Sequence, residues 1–142
     1  MHDYASKTIG GSAEECESWL KQLAHELGSE DHQEAWRVLL GTLRTLRESL
    51  PPEELAALGE QLPVLIRGLY YEGWDPAAEV HGLEDVDGFL RRLALAADLG
   101  GETEASLALA AVLRLLVART SLSASGGALS HLPGRLGALV SA

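Results

Sequence analysis

A single cysteine, Cys16, stands among 142 residues, so the chain cannot close a disulfide on itself. Lysine is nearly as scarce: only Lys7 and Lys21 occur, and the formal net charge is −10. Binding nucleic acid requires a basic face that displaces counterions from phosphate, and these residues cannot assemble one. Aromatic residues make up 5%, and Val, Ile and Thr are few beside Leu and Ala. A sheet would want those residues, whereas unbranched side chains lose little rotamer freedom in a helix. Long apolar runs are missing too. The longest, Ala105 to Ala118, is interrupted by Ser106 and Arg114 and falls short of the ~20 residues a membrane span needs. The opening MHDYASKTIGGS has no apolar run of signal-peptide type. A soluble, cytoplasmic, all-α protein is expected, with no membrane and no nucleic-acid partner.

What is present is helical patterning with clear punctuation. Ser12-Ala-Glu-Glu15 has capping-box spacing, followed by an apolar stripe of Cys16, Trp19, Leu20, Leu23, Ala24 and Leu27, then Gly28 as a left-handed stop. A second helix begins near Ser29 to Asp31 and places Trp36, Leu39, Leu40, Leu43 and Leu46 on one face. Pro51-Pro52 opens a short third helix with Leu55, Leu58 and Leu62 inward, and Pro63 opens a fourth. After a breaker-rich connection the pattern resumes through Phe89, Leu90, Leu93, Ala94 and Ala97 to Leu99-Gly100, with Glu84, Asp85 and Asp87 placed to cap it.

The two halves are alike. Leu27 to Leu50 aligns without a gap on Leu99 to Leu122, with Leu27, Gly28, Glu30, Leu43, Arg47, Ser49 and Leu50 identical, and Leu62-Pro63 returns as Leu132-Pro133. The expected architecture is a tandem repeat of about seventy residues packed as one domain, with seven or eight helices in all. Its parts are a flexible segment 1–11, a first repeat 12–74, a connection 75–84 and a second repeat 85–142. Ala105 to Ala118, apolar nearly all round, is expected as the central helix, with a self-association surface as the alternative. Charge is uneven: residues 1–81 hold fifteen acids and six bases, and residues 105–142 hold three arginines and no acid. The basic end could dock on the acidic half of its own chain or on a neighbour's.

The most distinctive tract is LPVLIRGLYYEGWDP, Leu62 to Pro76. Helical spacing puts Leu62, Leu65, Ile66, Leu69 and Tyr70 on a buried face and Arg67 with Tyr71 on another. Gly68 offers room for a second helix backbone. Gly73 should end the helix and fold Trp74 back, so that Arg67 covers Tyr71 or Trp74 in a cation–π contact. Arg67, Tyr70, Tyr71, Glu72 and Trp74 are the candidate surface. They serve either as a latch between the halves or as one wall of a ligand cleft there. With WLKQLAHELG and EAWRVLLGTLRTLRESLPPEELAALGEQ before it, the tract strongly resembles a bacterial family known only as a domain of unknown function. Its mark is LPxLxRGxYYEGWxP, and its members are small all-helical proteins with paired copies of one unit. The resemblance runs from about Trp19 onward, is weaker in the second half, and implies no catalytic residue.

Other chemistry was sought and not met. His25, Glu26, Glu30, Asp31 and His32 flank one turn and read as solvated rather than as ligands converging on a metal. No Glu or Asp precedes a His by three, as di-metal bundles require. Cys16, on an apolar stripe, reads as inert. No nucleophile elbow, P-loop or dinucleotide fingerprint occurs, and SASGG, 123–127, lacks a preceding strand. No metal and no cofactor is expected, and nothing local argues for an enzyme. The leading expectation is a protein-interaction module that binds itself, as a homodimer, or another protein. The alternative is a small-molecule binder with a cleft between the halves, or an enzyme using Glu72 and Asp75 there.

Overall fold

In the computed structural model, which describes residues 2–83 and 85–121, those residues form six α-helices and no strand. They are α1 (His2–Leu27), α2 (His32–Ser49), α3 (Pro52–Glu60), α4 (Val64–Tyr71), α5 (Val86–Ala96) and α6 (Glu102–Arg119). Seven or eight were expected for the whole chain. His131, Leu132-Pro133, the SASGG stretch and Glu84 lie outside the described residues, so the last part of the expected second repeat does too.

Most boundaries follow the punctuation. Asp31 caps α2, its Oδ1 accepting from the amides of Gln33 at 2.9 Å and Glu34 at 3.3 Å. Asp85 caps α5 in the same manner, accepting from the Gly88 amide at 2.9 Å. Pro51 and Pro63 stand just before α3 and α4, where their missing N–H groups cost nothing. Gly28 is left-handed at φ +67, and the Ser29 amide reaches back to the Ala24 carbonyl at 2.9 Å, closing α1.

Two boundaries differ. Helix α1 begins at His2, so Ser12 and Glu15 lie inside it instead of capping its start. Gly10 and Gly11 lie within it, although each glycine costs about 1 kcal/mol in a helix. Helix α5 stops at Ala96, not at Leu99-Gly100. Asp98, at φ +55, supplies the left-handed turn, and the Leu99 amide returns to the Ala94 carbonyl at 2.8 Å. The short side chain of Asp tolerates that conformation better than most.

The helices pack as one compact domain around a single core, and α2 is at its centre. It touches α1, α4, α5 and α6. It therefore buries much more than one stripe: Ala35, Val38, Leu39, Leu43 and Leu46 are covered, and so are Thr42, Thr45, Arg47 and Ser49. Trp36 and Leu40, expected inward, are only half-buried. Thr45 and Ser49 turn inward by bonding locally, whereas the buried Thr42 hydroxyl has no protein partner among the described residues. Thr45 Oγ1 donates to the Gly41 carbonyl at 2.7 Å and Ser49 Oγ to the Thr45 carbonyl at 2.8 Å. Arg92 Nη2 of α5 then donates to Ser49 Oγ at 3.0 Å.

Helix α6, expected as the central helix between the halves, packs on α1 and α2 of the first and on α5 of the second. Leu109 to Leu113, Leu115 and Leu116 are buried, while Leu107 is 67% exposed. Its arginines turn to the acidic half of the chain. Arg114 Nε meets Glu26 Oε2 at 2.9 Å, and Arg119 donates to Gln22 Oε1 and to Ser18. Exposed pairs of this kind contribute little, about 0–1 kcal/mol each.

The close helix approach also lies elsewhere than expected. A Cβ on Gly68 would meet nothing within 4 Å, whereas one on Gly41 would lie 2.8 Å from Ala97 Cβ and 2.9 Å from Ala97 Cα. Here α2 meets the end of α5 with only the Ala97 methyl between them, and Arg37 Nε, one turn earlier, donates to the Ala97 carbonyl at 3.3 Å. Gly41→Ala should therefore lower stability by about 1–3 kcal/mol, overpacking outweighing the helix-propensity gain. Gly68→Ala, free of contact, should raise it by up to about 1 kcal/mol. Urea unfolding of the two variants checks the opposite signs.

Candidate functional site

The tract Leu62 to Pro76 folds as an eight-residue helix and a return loop. Leu62, Ile66 and Tyr70 form the buried face, while Leu65 is 45% exposed and Leu69 half-buried. The Tyr70 ring is fully covered, and its hydroxyl donates to the Leu55 carbonyl of α3 at 2.8 Å. Tyr71 packs edge-on to Tyr70, centroids 4.9 Å apart, and tilts against Trp74 at 5.7 Å. Its ring also lies on Gly59 of α3, where a Cβ would come within 2.9 Å of the ring carbons.

Arg67 does not cover either ring. Its Nε donates to the Gly59 carbonyl at 2.8 Å, and its Nη2 to those of Leu62 at 2.9 Å and Glu60 at 3.2 Å. Gly59 and Glu60 end α3, where carbonyls have no partner within their own helix, and Leu62 lies in the turn just beyond. A charged donor on a carbonyl is worth about 1.5–3 kcal/mol, against ~0.5–1 for an exposed cation–π contact, so the helix end wins. Among the described residues, the guanidinium over a ring is that of Arg92, 5.9 Å from the Phe89 centroid.

The end of α4 is held in turn by α2. Arg44 Nε and Nη2 both donate to the Leu69 carbonyl, at 3.1 and 2.9 Å. Arg47 Nη1 donates to the carbonyls of Tyr70 at 2.7 Å and Glu72 at 2.9 Å. The Arg47 side chain is 7% exposed, its nearest carboxylate is Glu48 at 3.4 Å, and its Nε has no partner. The latch was expected between the halves, whereas these hydrogen bonds tie α4 to α2 and α3 within the first. Glu72 enters it through its backbone oxygen alone, its side chain being exposed.

A cleft of about 300 Å³ opens beside this latch, where the loop returns to α2. Gly73 is left-handed at φ +76, and the His81 amide then donates to the Glu48 carbonyl at 3.0 Å, pinning the far end. Leu50, Leu55, Val80 and Trp74 supply its apolar lining. Arg47, Glu48, Asp75, Glu79 and His81 supply its polar lining. Of the five nominated residues only Trp74 lines it, and the cleft lies within residues 47–81 and not between the halves. Arg47 and His81 were missed. The alignment marks Arg47 as shared by both halves, but its role depends on where α4 ends in space.

A second surface lies on the α5–α6 hairpin. Leu95 is 85% exposed and Leu107 is 67% exposed, each bordering a shallow depression that Glu102 shares. Arg91 Nη1 meets Glu102 Oε1 there at 3.1 Å. Cys16 is buried, and burial with Glu17 beside it pushes its thiol up, away from the thiolate a nucleophile needs. Among the described residues no three His, Cys, Asp or Glu side chains come together as metal ligands. No helix of theirs is long and apolar enough to cross a membrane.

The model of the family described as Uncharacterized conserved protein (DUF2267) matches residues 16–139. The chain belongs to that family. No curated protein matches it. The match takes in α2 to α6 and the last part of α1, from Cys16 on, so both surfaces described above lie within the DUF2267 unit.

Burial, then the neighbouring Tyr71, push the Tyr70 phenol well above its ordinary value near 10, Arg47 opposing them. The folded state holds it neutral, whereas the unfolded chain ionises it from about pH 10, so its stabilising contribution is full below that pH and falls above it. Tyr70→Phe should cost about 1 kcal/mol at neutral pH, the worth of one hydrogen bond. The difference from wild type should shrink toward pH 11, which urea midpoints of both proteins will show.

Proposed function

We propose that this protein is an interaction module that self-associates through its α5–α6 surface. The observation that carries it is the pair of exposed leucines, Leu95 and Leu107, on adjacent helices around the Arg91–Glu102 ion pair. An exposed leucine alone means little, but two on packed helices, each beside a depression that Glu102 also lines, form a patch. A twofold contact needs a patch complementary to itself. Two copies of a chain with net charge −10 repel each other over most of their surface. A patch holding one arginine, one carboxylate and two leucines can face its own copy without that repulsion. Covering each leucine would contribute about 1.5–3 kcal/mol.

We also infer that the two halves are copies of one unit. If α1 corresponds to α5 and α2 to α6, the packing is exchanged symmetrically: α1 lies on α2 and α6, and α5 lies on α6 and α2. The matching sequence around Gly28 and Gly100 supports that correspondence.

A second reading, a small-molecule binder, is favoured by the cleft at Trp74. Its volume of about 300 Å³ reaches the lower end of ligand pockets, roughly 300–1,000 Å³.

Sedimentation equilibrium tests the first reading. Wild type should be a dimer at about 100 μM, far above the micromolar Kd that a standard interface gives, and Leu95→Glu with Leu107→Glu should be a monomer with an unchanged far-UV circular dichroism spectrum. A monomeric wild type at that concentration would sink self-association.

A further inference from the structure

We infer, resting on the reading of the cleft as a small-molecule site, that it takes an organic cation: an amine or ammonium group carried on a small apolar body. Four observations combine. First, the polar lining holds three carboxylates, Glu48, Asp75 and Glu79, against one guanidinium. Second, that guanidinium is turned to other work. Arg47 Nη1 serves the carbonyls that end α4 and Nη2 lies by Glu48, which leaves an incoming anion only Nε, buried and without a partner among the described residues. Third, Trp74 lines the same space at 38% exposure, and an indole face attracts cations more strongly than the other aromatic side chains do. Fourth, Leu50, Leu55 and Val80 give the apolar part of a ligand something to cover.

The carboxylates do not converge as metal ligands do. They are spread around a cleft of about 300 Å³, which suits a charge delivered on a carbon frame better than a bare ion. Two of them are also engaged by the protein. Asp75 Oδ1 accepts from the Ala77 amide at 2.9 Å, and Glu48 lies 3.4 Å from Arg47. Glu79 has no ion pair among the described residues and is exposed, so it is the carboxylate placed to meet an ammonium group.

The test compares three probes of one shape by ¹H–¹⁵N NMR titration: benzylamine, benzyl alcohol and benzoate. Benzylamine should shift the Trp74 indole resonance and the amides of 74–81, and should bind more tightly than either other probe. Trp74→Leu should weaken it about fivefold, the loss of one cation–π contact, and Glu79→Gln by a similar factor. Both positions are exposed, and an otherwise unchanged spectrum will show that each variant folds. Benzyl alcohol or benzoate binding in the cleft as tightly as benzylamine would overturn the cationic assignment and leave the cleft a binding site. No saturable shift with any of the three would overturn both.

Discussion

The structure depends on arginines closing the ends of short helices. Helices α3, α4 and α5 have nine, eight and eleven residues, below the ~12–15 that an isolated helix needs to hold its shape in water. Each ends in carbonyls with no partner inside the helix, and each is met by a guanidinium from elsewhere. Arg67 serves α3, Arg44 and Arg47 serve α4, and Arg37 serves the turn that ends α5. Three of these four arginines project from α2. The negative end of a helix dipole favours the charge as well as the hydrogen bond. Arg47 is the extreme case: burying its charge costs several kcal/mol, and the carbonyls of Tyr70 and Glu72, with Glu48 nearby, offset it.

That arrangement explains why α2 sits at the centre. A helix whose polar residues reach out to the ends of its neighbours can be covered on nearly every side, because its polar groups are mostly satisfied where they are. Helix α6 is more apolar, yet it has no comparable set of helix ends to hold; it packs on three helices and leaves Leu107 uncovered.

The contrast also marks what could be read from the sequence. Proline, glycine and aspartate act on their immediate neighbours, so Pro51, Pro63, Gly28, Gly73, Asp31 and Asp85 gave most helix limits directly. Apolar spacing gave the all-helical class and most of the core. Arg67 was read against Tyr71 and Trp74 because those are its neighbours along the chain, whereas its partners are the carbonyls of another helix. Gly41 was passed over for the same reason: its importance comes from Ala97, which only the packing of α2 on α5 brings near. The cleft was legible only through Trp74, since Arg47 and His81 join it by the loop's return to Glu48.

The same clamp connects packing to the candidate site. Holding the end of α4 fixes where Gly73 turns the chain, and so where Trp74 and the following loop stand over α2 and α3. The α5–α6 surface is built on other contacts and should not share its fate. Native-state hydrogen exchange of Arg47→Met, read residue by residue against wild type, tests this most directly. If Arg47 secures α3, α4 and the loop, these amides will lose protection together while the buried amides of α5 and α6 keep theirs. Equal loss across all helices, or no loss in α3 and α4, would contradict it.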